Sequence, residues 1–133
     1  MQWSLVGSEM CIRDSLKKEN IDLIRLISPT TDSKRLKRML ASSSGYLYYV
    51  SLKGITGAEL KNFNEVKNKV KKIKSLTNLP VVVGFGIKDA PTAKKMASFS
   101  DGIVVGTKII DFIEKKSSHQ ISSFTKSLQK AIN

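Results

Sequence analysis

From Leu16 onward the chain alternates four times between a short apolar, β-rich run and a helix-patterned segment. "IDLIRLIS" (Ile21 to Ser28) is ended by Pro29, which cannot continue a hydrogen-bonded ladder. "TTDSKRLKRMLA" follows, with Thr31 or Asp32 as an N-cap and Leu36, Met39 and Leu40 on one helical face. "GYLYYVSL" (Gly45 to Leu52) is aromatic and β-branched, hence a second strand. After the polar, glycine-bearing loop "KGITGAELKN", Phe63, Val66, Val70, Ile73 and Leu76 fall at spacings of three and four, an amphipathic helix with its lysines outward. "LPVVVGFG" is a third strand, and its unbroken apolar character predicts cover on both faces. "KDAPTAKKMASF" is a short helix that tolerates Pro91 in its first turn. "DGIVVGT" (Asp101 to Thr107) is a fourth strand. "KIIDFIEKK" and "SSHQISSFTKSLQKAIN" close the chain as helices, the last with Ile121, Phe124, Leu128 and Ile132 on one face.

Such alternation with buried parallel strands is an α/β pattern. An open doubly wound sheet and part of a (β/α)8 barrel both satisfy it. A complete barrel typically needs about 250 residues, so a chain of 133 supplies about half of one.

The first fifteen residues, "MQWSLVGSEMCIRDS", hold the one tryptophan and the one cysteine and show no clean period of 2 or 3.6. They resemble a spurious leader, so residues 1–15 are expected to be non-native or disordered and residues 16–133 to form the fold. With no basic n-region, and with Glu9 in the would-be apolar core, they make a poor signal peptide. No apolar stretch approaches the roughly 20 residues that span a bilayer. Cys11, alone, excludes an internal disulfide framework and every Cys-rich metal site. A reducing, cytoplasmic setting is the expectation.

The formal net charge is +12, and lysine dominates it; the arginines are Arg13, Arg25, Arg35 and Arg38. The lysines concentrate in "KNKVKKIK" (Lys67 to Lys74) and "KSLQK" (Lys126 to Lys130), on helices. Nucleic-acid sites use arginine for bidentate contacts and aromatics for stacking. Neither is interleaved with these lysines, so solvated helix faces are expected rather than a polyanion-binding surface.

Two strand ends carry glycines before a helix: Gly84-Phe85-Gly86 and Gly106-Thr107. Backbone N–H groups at a helix start, with no Cβ in the way, suit an anion. In phosphate-binding barrels the loops after strands seven and eight build that site. The competing reading is that Gly84 and Gly86 only turn the chain. The loop after the second strand carries Ser51, Gly54, Thr56, Gly57 and Ala58 and is long enough to close over a ligand. Tyr48, on the strand beneath, points to either face on sequence grounds, and strand tyrosines mostly pack.

"SPTTDSKRLKRML", "GYLYYVSLKGITGA", "LPVVVGFGI" and "DGIVVGTKII", in this order and spacing, resemble the C-terminal half of the tryptophan synthase alpha subunit family, from about Leu16 to the end. "S-x-x-G-x-T-G-A" is the most specific part of that resemblance. It implies strands five to eight of a TIM barrel. It also implies cleavage of indole-3-glycerol phosphate by a retro-aldol reaction into indole and glyceraldehyde 3-phosphate. The implied partner is a beta subunit, which carries pyridoxal phosphate and receives the indole through a tunnel; no cofactor is implied for this chain. Gly57, Gly86, Gly106 and Thr107 would hold the substrate phosphate, and Phe85 would line the site beside them. Tyr48 would face the indole or the catalytic carboxylate, Thr56 would sit in the closing loop, and Ser51 would begin it.

The family's catalytic glutamate and aspartate belong to its second strand and the loop after it, a region without counterpart in this sequence. Asp32, Asp89 and Asp101 stand at helix starts or strand entries, where capping explains them. Glu59 and Glu65 belong to the closing loop or the start of its helix, and His119 is expected at the surface. No residue is assigned as catalytic, and the isolated chain is expected not to cleave the substrate. Its open strand edges are expected to favour self-association. The other readings are half of a different phosphate-binding barrel, a non-catalytic phosphate-binding module, and a basic nucleic-acid-binding protein.

Overall fold

The computed structural model describes residues 3–51, 59–84 and 86–133. Four strands, β1 (Arg25–Ile27), β2 (Leu47–Val50), β3 (Val81–Gly84) and β4 (Gly102–Val104), form one sheet in the order β1-β2-β3-β4 with every pairing parallel. Between them run α2 (Ser33–Ala41), α3 (Glu59–Lys74) and α4 (Ala90–Ala97). The chain begins in α1 (Trp3–Lys18) and closes in α5 (Thr107–Glu114) and α6 (Ser118–Ile132). Neighbouring parallel strands joined in sequence order by helices are the repeat of a (β/α)8 barrel, here as four strands. Among the described residues no helix is long and apolar enough to cross a membrane.

Helix starts follow the cap chemistry. The Asp32 carboxylate accepts the Arg35 N–H at 2.8 Å and opens α2; Asp89 accepts the Thr92 N–H at 2.8 Å and opens α4, with Pro91 in the first turn. Asp101 performs another task, because it precedes a strand. Its carboxylate accepts from Lys74 Nζ at 2.6 Å, where α3 ends, and from the Val81 N–H at 2.9 Å, where β3 begins. These bonds hold all three carboxyls below the usual aspartate range: the Arg35 N–H first for Asp32, the Thr92 N–H for Asp89, and the Lys74 ammonium for Asp101.

The core lies on one face of the sheet. Ile27, Leu47, Tyr49, Val81 and Val83 point into it and meet Leu36, Val66, Val70, Ile73, Ala93, Met96 and Leu128 from the helices. Burial raises the Tyr49 hydroxyl above its usual range, and the nearby Glu65 charge adds to that. On α6, Leu128 is buried and Ile121 and Phe124 half-buried, while Ile132 stays exposed.

One expectation changes here. The β3 run is covered on one face only: Val81 and Val83 are buried, but Val82 on the opposite face is half-exposed. The same face carries half-exposed Tyr48, Val50 and Val104 and, on β1, Leu26 at 62% exposure. In a barrel that face looks inward, toward the other strands. The stretch expected to be non-native or disordered, residues 1–15, falls largely within α1, Trp3–Lys18. Its lack of period has a structural counterpart: along its second half Cys11, Ile12, Asp14 and Ser15 are exposed, so no apolar stripe is demanded.

Candidate functional site

At the C-terminal ends of β3 and β4 the chain makes two turns side by side. Gly86 takes φ +78°, the left-handed region that glycine enters without strain. At the second turn Gly106 is the N-cap of α5 and offers no side-chain cap. Its carbonyl accepts the N–H groups of Ile109 (2.9 Å) and Ile110 (3.1 Å), the first bonds of that helix. Thr107 and Lys108 precede them, so their N–H groups stand in the helix's positive first turn.

A cavity of about 420 Å³ opens between the two turns, lined by Tyr48, Gly86, Ile87, Lys88, Val104, Val105, Gly106, Thr107, Lys108 and Asp111. Four residues singled out in the sequence therefore meet on one wall set: Tyr48, Gly86, Gly106 and Thr107. Ser51 lies beside it rather than on its wall. It is buried, and its N–H donates to the Gly84 carbonyl at 3.3 Å, tying the end of β2 to the end of β3. Thr56, Gly57 and Phe85 lie outside the described residues.

Gly84 and Gly86 differ in what they do. Gly84 is the last residue of β3, and a Cβ built on it would fall on the hydroxyl and ring of Tyr48. Its missing side chain makes room for the tyrosine, which crosses the strand and reaches the cavity. Gly86 turns the chain. Neither reading of the pair as a single unit covers both positions.

Three charged wall residues were not singled out in the sequence: Lys88, Lys108 and Asp111. Lys88 and Lys108 each stand two positions after a turn glycine, Gly86 and Gly106. Thr107 and Asp111 are four apart on α5, so they share a face. That spacing was a readable signal. The Lys108 ammonium lies 5.1 Å over the Phe112 ring, and Phe112 stacks edge-on against Phe124 of α6 at 5.5 Å. The wall thus brings two lysines, one aspartate and a helix start together with apolar Ile87, Val104 and Val105. This arrangement suits an anionic group attached to an apolar body. Among the described residues no three His, Cys, Asp or Glu side chains gather as a metal site.

Comparison with known proteins bears on the same region. Residues 7–133 match the family model described as tryptophan synthase alpha chain. The chain is 41% identical over 122 residues to a tryptophan synthase alpha chain of Nitrosomonas europaea, which covers 89% of this chain and 44% of that one. A solved structure from Aquifex aeolicus VF5 superposes with a TM-score of 0.82 at 26% identity, over 94% of this chain and 46% of the other. Tryptophan synthase subunit alpha of Legionella pneumophila superposes at 0.73 with 32% identity, over 91% and 46%. The chain spans less than half the length of each of these three proteins.

Proposed function

Because the chain belongs to the tryptophan synthase alpha chain family, we propose that it carries the phosphate-binding half of an indole-3-glycerol phosphate lyase of tryptophan biosynthesis. The observation that supports this most is the cavity itself: Gly86, Gly106 and Thr107 stand together at the ends of two neighbouring parallel strands. The N–H groups of Thr107 and Lys108 would meet the phosphate oxygens, and the Lys88 and Lys108 ammonium groups would balance their charge. Gly57, from the loop after β2, and Phe85 complete the phosphate end in this reading. Tyr48 would lie against the indole, and Ser51 and Thr56 would belong to the loop that closes over it.

Retro-aldol cleavage needs a group that moves protons between the glycerol hydroxyl and the indole carbon. Asp111, on the wall at the phosphate end, is poorly suited: beside a phosphate dianion it would repel rather than orient. On this reading the chain alone binds the phosphate moiety and does not turn the substrate over. It works in a cytoplasmic enzyme whose remaining strands supply the acid and base, and whose pyridoxal-phosphate beta subunit takes the indole.

Titration of the chain with glycerol 3-phosphate, followed calorimetrically, tests the site. Gly106→Ala is the informative variant. A side chain at Gly106 meets no protein atom within 4 Å, so the fold tolerates it and any loss is read at the ligand. Saturable binding that Gly106→Ala weakens is expected. Binding that the variant leaves unchanged would place the phosphate elsewhere, and detectable cleavage by the purified chain would refute its dependence on the missing strands.

A further inference from the structure

The two lysines on the cavity wall are held differently. Lys88, in the turn between β3 and α4, is exposed, and its charge acts on the next residue, Asp89, which caps α4. Lys108, in the first turn of α5, is half-buried. Its ammonium lies 5.1 Å from the centre of the Phe112 ring, one turn further along the same helix. That ring is itself fixed. It stands edge-on to Phe124 of α6, with 5.5 Å between centres and 67° between planes, and Phe124 packs against the core cluster. A run of side chains therefore leads from the core through Phe124 and Phe112 to Lys108, which lines the cavity, whereas Phe112 is not itself a wall residue.

We propose that Phe112 is a positioning residue for the ligand's anionic group: its ring holds the Lys108 ammonium at the cavity rim and leaves the charge and the N–H donors to the phosphate. The inference rests on reading the cavity as a phosphate site. An aromatic face suits this task in a way that a carboxylate does not. Lysine is a compact charge on a flexible four-carbon stem, and ordering that stem opposes binding when the ligand has to do it. A carboxylate partner would order the stem too, but it would neutralise the charge and occupy the donors. A ring attracts the cation through its quadrupole and does neither. Asp111, on the same wall, is not such a partner, since among the described residues the ion pairs are Arg13–Asp14 and Lys74–Asp101. Phe112 thus acts through Lys108 and does not touch the ligand.

A double-mutant cycle followed by calorimetric titration of the full chain with glycerol 3-phosphate tests this. Phe112→Leu keeps an apolar side chain against Phe124 and removes the π face. It is expected to weaken binding about twofold to fivefold, the size of a cation–π contact near the surface. Phe112→Tyr, which keeps the face, should bind as the unmodified chain does. In the Lys108→Gln background Phe112→Leu should change nothing, since no cation is left to hold. A role in packing alone would cost the same in both backgrounds, because it would act on the helix start and its amides. That result overturns the proposal, as does equal affinity of Phe112→Leu and the unmodified chain. A measurement on the unmodified chain needs no variant. The ring current of Phe112 should shift the Lys108 ε-methylene proton resonances upfield, and glycerol 3-phosphate should move them; resonances that stay in place at saturation overturn the positioning role. Failure of the underlying reading looks different. No saturable binding by the unmodified chain, or binding that Gly106→Ala leaves unchanged, removes the phosphate from this cavity and the role of Phe112 with it.

Discussion

At Gly84 a single hydrogen decides where a tyrosine lies. A methyl group there would occupy the position of the Tyr48 ring, which is bounded by β2 beneath it and by the cavity beyond. Gly84→Ala is therefore expected to destabilise the chain by about 1–3 kcal/mol, the usual cost of overpacking. In the Tyr48→Ala background the same change should cost at least about 1 kcal/mol less, since the clash has gone. Urea denaturation of the four proteins measures the coupling, and additive effects would show that Tyr48 moves aside freely. At the cavity, Asp111 sets its charge against that of Lys88 and Lys108. Asp111→Asn should tighten glycerol 3-phosphate about threefold or more and Lys108→Gln should weaken it comparably, as expected for single charges near a partly screened anion; equal affinities in a calorimetric titration would remove these groups from the site. The two turn glycines were legible as a place where backbone approaches something. That one of them accommodates Tyr48 was not, because strand register decides it: Tyr48 pairs with Val82 and Val50 with Gly84, placing both tyrosine and glycine on the open face.

At the scale of elements, the helix starts were the most readable part of the sequence. Asp32 and Asp89 cap because each stands three residues before an orphan N–H, a purely local relation. Strand lengths were less readable: apolar runs of about eight residues became strands of three or four, because pairing continues only where both neighbours are in register. Asp101 lay between, since its partners Lys74 and Val81 come from other elements. Lys74 and Asp101 are each 38% exposed, so their ion pair contributes only about 0.5 kcal/mol; the clip of α3, β3 and β4 depends as much on the Val81 bond. All three aspartates have folded-state pKa values below their unfolded ones, so their contribution is present above the unfolded carboxylate range, about pH 4, and is lost as pH falls through the folded values. The midpoint of thermal unfolding should accordingly fall between about pH 4 and pH 2. Asp101→Asn, which keeps an acceptor for Val81 and loses the charge beside Lys74, should make that fall shallower; an unchanged slope would show that Asp101 has no part in it.

For the whole molecule, the unbroken valines of β3 carry a message that this chain only half fulfils. Val81 and Val83 face its helices, while Val82, on the opposite face, is half-exposed. A sequence records the environment of a complete fold, so the expectation of two covered faces describes the barrel of the family rather than this half of it. The same reasoning yields an experiment on function. If the inner face is the one that the rest of the barrel covers, then the part of the Nitrosomonas europaea chain that this one does not span should bind it as a second polypeptide. Both edges of the four-stranded sheet would then be paired by strands of that second polypeptide. Mixing the two, at the 41% identity of the matched region, is expected to give a one-to-one complex that competes with self-association and cleaves indole-3-glycerol phosphate, followed by release of indole. Leu26→Glu should abolish both complex and cleavage together, because one buried, unpaired carboxylate on the shared inner face opposes the same closure. Cleavage that survives the substitution would mean that the catalytic complex does not close over this face.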